Sequence, residues 1–158
     1  MQRGSPGRGA PTVRKTGEVH YDIIDRPPSF SEHRVLAVSV GWEDHFDWET
    51  IGASIDASLV CVVAVADHEV IGMGRLVGDG VHYFYVQDVI VHPDHESSGV
   101  GGAILERLLQ WIETHAPSKA FVGLFSSPQA VHLYGEYGFE SADGESTMIG
   151  MHREVTPR

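Results

Sequence analysis

Apolar residues recur along this chain in two rhythms, and the change from one to the other predicts the order of its elements. LVCVVAVA at 59–66 and VIGMGRLVG at 70–78 are short runs dense in β-branched residues, and the intervening DHE predicts a hairpin. VHYFYVQDVIV at 81–91 follows the turn GDG as a longer strand, so three consecutive strands form an antiparallel meander. Side chains alternate along a strand, which puts His82, Phe84, Val86, Asp88 and Ile90 on one face and Tyr83, Tyr85, Gln87, Val89 and Val91 on the other. From Val100 onward the spacing is helical. Val100, Ile104, Leu105, Leu108, Leu109 and Ile112 make one face, opposite Glu106, Arg107, Gln110 and Glu113.

The flanks are fainter. HYDIID, from His20, alternates weakly as a first strand that Pro27 and Pro28 end. In SFSEHRVLAVSVGW, Ser29 or Ser31 serves as N-cap with Glu32 early in the helix, Val35, Leu36 and Val38 form its apolar face, and Gly41 stops it. A short helix follows at about 48–55, then a strand at 120–124 and a helix at 128–137 with proline in its first turn; Phe139 and residues 147–151 supply the final strands. A meander followed by a strand–helix–strand crossover predicts an α+β domain, a mixed sheet with helices on both faces.

Composition narrows the function. The length of 158 residues fits one domain. Residues 1–17 carry Arg3, Arg8, Arg14 and Lys15 with no acid and are rich in Gly and Pro, which reads as a disordered basic arm ahead of a domain at 18–158. Without those four, seven basic residues face 22 acidic ones, so nucleic acid is a poor partner for the folded part. The acidity suits either a saline cytoplasm or cationic substrates. No run approaches a membrane span and no secretory core opens the chain, so a cytoplasmic location is expected. The single cysteine, Cys61, lies in an apolar run and reads as a buried thiol.

The candidate chemistry centres on HPDHESSGVGGAILERLL, where a strand turns through serines and glycines into a helix. A helix N-terminus offers unpaired N–H groups and a positive dipole end to phosphate, and Gly99 and Gly101 keep side chains out of its way. A P-loop requires Gly-Lys-Ser/Thr where Gly102-Ala103-Ile104 stands; a dinucleotide fingerprint wants glycine at Ile104. A plain strand-to-helix turn is the structural alternative. His92 and His95 lack the further ligands of a familiar metal site, so no metal is expected.

VIVHPDHESSGVGGAILERLL resembles motif A of the Gcn5-related N-acetyltransferases, a strand ending in V-x-V-x-P that leads through (Q/R)-x-x-G-x-(G/A) into a helix. QDVIV is similar to that family's fourth strand, and AVHLYGEYGF to its A-x-x-x-Y-x-x-x-G-F motif, so the resemblance covers about residues 59–139. It implies a sheet of six or seven strands splayed around an acyl-CoA wedge, about four helices, and acetyl-CoA as cosubstrate. Carried over residue by residue, Val89, Ile90 and Val91 pair with the pantetheine arm, and Glu96, Ser97, Ser98, Gly99, Val100, Gly101 and Gly102 surround the pyrophosphate. The family's Gln or Arg is Glu96 here, and the asparagine that many members use on the cofactor is Ser127. Tyr134 is the implied general acid for the departing thiolate, and a backbone N–H near Ile90 the oxyanion donor. Asp88, with Gln87 orienting a water or the amine, is the candidate base; a buried polar residue tying down a neighbouring loop accounts for Asp88 equally well. Trp42, His45 and Tyr85 are the candidate acceptor contacts. The implied reaction moves an acetyl group to a small-molecule amine, by direct attack and without nucleic acid or membrane as partner; a non-catalytic acyl-CoA sensor is the rival reading, and a homodimer is plausible.

Overall fold

Five strands form one sheet in the order β1-β2-β3-β4-β5, made by β1 (Asp22–Asp25), β2 (Val60–Ala66), β3 (Glu69–Gly78), β4 (Tyr83–Val91) and β5 (Phe121–Gly123). The computed structural model describes residues 20–117 and 119–141. The first four strands are antiparallel neighbours, and β5 joins β4 in parallel after the crossover through helix α3 (Val100–His115). Helices α1 (Phe30–Ser39) and α2 (Ile51–Asp56) precede the meander. The meander, crossover and mixed sheet all match the expected order. Among the described residues there are five strands rather than six or seven; the strand expected at 147–151, like the arm at 1–17, lies outside them, and Phe139 is not in a strand. The described chain divides after Leu124 into two compact units, the sheet with its three helices in one and helix α4 (Val131–Glu136) in the other.

Local chemistry accounts for the turns. Asp67 and His68 both take positive φ, 49° and 69°, the left-handed conformation that lets a two-residue β2–β3 loop match the right-handed twist of its strands. Asp79 holds the next turn by accepting N–H groups from Val81, His82 and Tyr83, and those three bonds keep its carboxyl below the usual range. Ser29 caps α1 by accepting the Glu32 N–H, while Glu32 returns a bond to the Ser29 N–H, a complete capping box.

The sheet is covered on both faces. On one side Leu36 of α1 packs with Val63, Met73 and Ile90. On the other, α3 buries Val100, Ile104, Leu105, Leu108 and Ile112, each contributing about 1.5–3 kcal/mol. Gly72 and Gly74 let α3 come close: a Cβ on Gly74 would lie 2.7 Å from Ile104 Cγ2, and one on Gly72 3.0 Å from Ile104 Cδ1. The expected apolar face of α1 is corrected. Val35 and Val38 are exposed, and His33, Leu36 and Ala37 are the buried residues, because this helix turns its polar histidine inward.

Candidate functional site

Strand β4 outlasts its neighbour. Its pairing with β5 runs Tyr83↔Phe121, Phe84↔Val122 and Tyr85↔Gly123, and then β5 ends while β4 continues to Val91. Among the described residues, nothing pairs with residues 86–91 on that side. The backbone there is an open strand edge, able to hydrogen-bond an extended ligand as a sheet bonds a further strand.

A bulge occurs within the same stretch. Asp88 has φ 51°, and the β3 register jumps from Arg75↔Gln87 to Met73↔Ile90, leaving an extra residue on β4. Strict alternation along β4 is therefore corrected. Ile90 packs under α1 on the face where Arg75, opposite Gln87, reaches toward α2, whereas Val89 reaches the α3 side, beside Gly74. A one-residue insertion reverses the phase of every side chain beyond it.

Beyond Val91, a single 3₁₀ turn (Pro93–His95) leads to α3. Ser97 and Gly99 both take left-handed φ, 61° and 82°, and the N-cap of the helix that starts at Val100 is Gly99, which has no side chain to cap with. Glycine meets that conformation at Gly99 without cost, and the positive end of the α3 dipole then follows the open edge of β4 in sequence. The Ser98 hydroxyl is committed to the His95 carbonyl, while Ser97 is exposed. Glu96 is exposed and has no ion-pair partner among the described residues.

The candidate base is engaged elsewhere. Asp88 Oδ2 accepts the Arg75 Nε–H at 2.7 Å, with each side chain 8% exposed. Arg75 Nη1 also donates to the Ser54 carbonyl and hydroxyl and to the Ser58 hydroxyl. The bulge, β3 and α2 are thus joined through one guanidinium, the loop-anchoring alternative for Asp88. The place of Arg75 inside an apolar strand is the sign in the sequence that a buried acid must face it. All four arginines among the described residues are paired: Arg26 with Glu32, Arg34 with Glu43, Arg75 with Asp88 and Arg107 with Asp25. His33 was missed altogether. It is buried beside this network, against Phe46 and Trp48, and burial drives its pKa down.

Trp42 and His45 meet on the loop after α1, their rings 6.0 Å apart, and Trp42 is partly exposed. Tyr85 belongs to a second aromatic set, against Phe121 at 6.4 Å on the β4–β5 pair. Cys61 is buried and its thiol pushed up by that burial, as an inert core residue should be.

In the second unit, Ser127 stands just before a 3₁₀ turn (Pro128–Ala130) that leads into α4. Tyr134 is buried, its ring edge-on to Phe139 at 5.9 Å, and burial raises its hydroxyl pKa. Its carbonyl accepts the Tyr137 and Phe139 N–H groups across Gly138, whose φ of 82° closes the helix. The glycine of Y-x-x-x-G-F is a C-terminal cap.

Comparison with known proteins agrees with this geometry. A GCN5-related N-acetyltransferase 1, chloroplastic, of Arabidopsis thaliana is 31% identical over 85 residues, 53% of this chain and 42% of its own length. An uncharacterized N-acetyltransferase, ycf52, of Pyropia yezoensis is 29% identical over 119 residues, 72% of this chain and 67% of its own. The chain thus spans about two fifths of the first relative and two thirds of the second. A solved protein of unknown function from meticillin-resistant Staphylococcus aureus superposes with a TM-score of 0.77 at 23% identity, covering 86% of this chain and all of its own. A GNAT family acetyltransferase from Streptococcus pneumoniae does so at 0.67 and 27%, covering 85% of this chain and all of its own. The model of the acetyltransferase (GNAT) family matches residues 22–139, a span that takes in the open edge of β4, the glycine turn and Tyr134, and the chain belongs to that family.

Proposed function

We propose that this protein transfers an acetyl group from acetyl-CoA to the nitrogen of a small primary amine, by direct attack in a ternary complex. One observation carries the reading: an open strand edge at residues 86–91 leads through a single 3₁₀ turn to a glycine-turned helix N-terminus. The first suits an extended amide-bearing arm, and the second suits the pyrophosphate at its end. Val89, Ile90 and Val91 supply the backbone partners, and residues 96–102 the turn. Ile90 is buried on the α1 side, so its contribution is the main chain, including the N–H offered to the oxyanion.

In this reaction the amine nitrogen bonds to the thioester carbon and the carbon–sulfur bond breaks. An amine that arrives as the ammonium gives up one proton to become the nucleophile and a second as the amide forms; the departing thiolate takes one and the other leaves to solvent, so an acid and an acceptor of protons are both required. Tyr134 is the acid. Its support is its match to the family motif and its buried hydroxyl, which stays protonated far above neutral pH. Gln87 positions the amine or a water. If Asp88 accepts the proton it does so through Oδ1, since Oδ2 is bound to Arg75. The acidic balance suits a cationic acceptor, which Trp42, His45 and Tyr85 contact through their rings.

Isothermal titration with acetyl-CoA, CoA and NAD tests the reading. Micromolar binding of acetyl-CoA in preference to NAD, followed by thiol release with amines, is expected; no binding of acetyl-CoA would end it. Glu96 and Ser127 favour a second reading, an acyl-CoA sensor without turnover. That protein would bind acetyl-CoA and release no thiol with any amine.

A further inference from the structure

His33 has a chemistry that acetyl transfer leaves unused. It is fully buried on α1, and neither Nδ1 nor Nε2 has a hydrogen-bond partner. A neutral imidazole has one N–H to donate and one lone pair to fill, and buried polar atoms are nearly always matched. Its surroundings are aromatic. Phe46 lies edge-on at 4.8 Å and Trp48 at 5.7 Å, and both belong to the loop at residues 41–50 that follows α1.

The charges around the ring offer it no counter-ion. Asp88 of β4 favours the imidazolium and Arg75 of β3 opposes it, and the two are bound to each other. On its own helix, Glu32 is held by Arg26, while Arg34 lies over Trp48 and reaches Glu43. From the loop, His45 packs against Phe46; from α2, Ser54 and Ser58 are turned to Arg75. Phe46 and Trp48 also pack against Ile51, Ile55 and Cys61, besides His33, and Phe30 lies edge-on to Trp48 at 5.9 Å. Most of the loop is nonetheless exposed, the Trp48 indole N–H bonds within it to the Glu43 carbonyl, and Gly41 takes a left-handed φ of 76° at its start.

We propose that His33 is a proton-operated latch for the loop at 41–50: the neutral ring is the surface on which Phe46 and Trp48 close, and protonation lifts them from it. Imidazolium has two N–H donors and no acceptor in this box, so water is the partner that satisfies it, and reaching water requires the loop to open. Burial already holds the ring neutral below the usual histidine range, which places the switch on the acid side of neutrality. The latch stands apart from the acetyl-transfer reading, because it rests on the closed ring packing alone.

The test is a titration of the full chain from about pH 8 to about pH 5, following the His33 ring by NMR together with the Trp48 indole N–H and tryptophan emission. The expected result is one midpoint, below the reference histidine value of about 6.5, shared by the His33 and Trp48 signals while far-ultraviolet dichroism stays constant. His33→Phe, which keeps an aromatic ring and loses the proton, should abolish the emission step. The latch is overturned if His33 titrates while Trp48 does not respond, if His33 stays neutral until the whole fold is lost, or if the step survives in His33→Phe. The wild-type NMR comparison decides the matter even if that variant does not fold.

Discussion

Single side chains decide the proposed chemistry. Tyr134→Phe removes one oxygen from a buried ring and should lower kcat by about a hundredfold or more, the usual worth of a general acid, with cofactor affinity little changed. Comparable loss in kcat and in acetyl-CoA affinity would make Tyr134 a packing residue instead. Glu96→Gln takes a carboxylate away from the turn where the pyrophosphate is placed; calorimetry should find acetyl-CoA bound several-fold more tightly, since a solvated like-charge pair costs on the order of 1 kcal/mol. Unchanged affinity would put the anion elsewhere. Arg75→Met leaves the Asp88 carboxylate buried at the bulge with no cation, which should cost about 3–5 kcal/mol in urea denaturation. Adding Asp88→Asn to that variant should restore much of the loss, as removal of both charges is tolerated far better than removal of one.

Elements were legible in the sequence to the degree that their signal is periodic. Six apolar positions at helical spacing placed α3, and five of them are buried as expected; the DHE hairpin, the α1 cap and the crossover were equally readable. Two features were not. The bulge at Asp88 has no periodic signature, since an αL residue inside a strand is set by its buried partner on β3 and not by its neighbours in sequence. The inward turn of His33 was hidden because helical patterning treats histidine as polar, while here an aromatic box accepts it as a ring. The site followed the same division: the glycine turn announced itself, whereas the engagement of Asp88 by Arg75 required the β3–β4 register. Contact between β3 and α3 gives an element-scale prediction. Gly74→Ala places a methyl 2.7 Å from Ile104 Cγ2, and the overpacking should lower stability by about 1–3 kcal/mol without changing the sheet order. A neutral outcome would mean that α3 can slide on the sheet.

For the molecule as a whole, stability should fall with acid in two stages. His33 has a folded-state pKa below its unfolded value, so its contribution is complete above about 6.5 and declines as pH drops through that value. Glu32, held at about 2 chiefly by the Arg26 hydrogen bond, contributes fully above the ordinary carboxyl range and loses that contribution as pH falls toward 2. Melting curves recorded against pH should show the first decline vanish in His33→Phe and the second shrink in Arg26→Ala. The pairing of all four described arginines has a kinetic consequence as well. With a formal charge of −11 and its four described guanidinium groups occupied by carboxylates, the protein presents a repelling field to an incoming polyanion. Encounter with CoA in stopped flow should then be slow for a diffusional step and should quicken as ionic strength rises, the reverse of steered association.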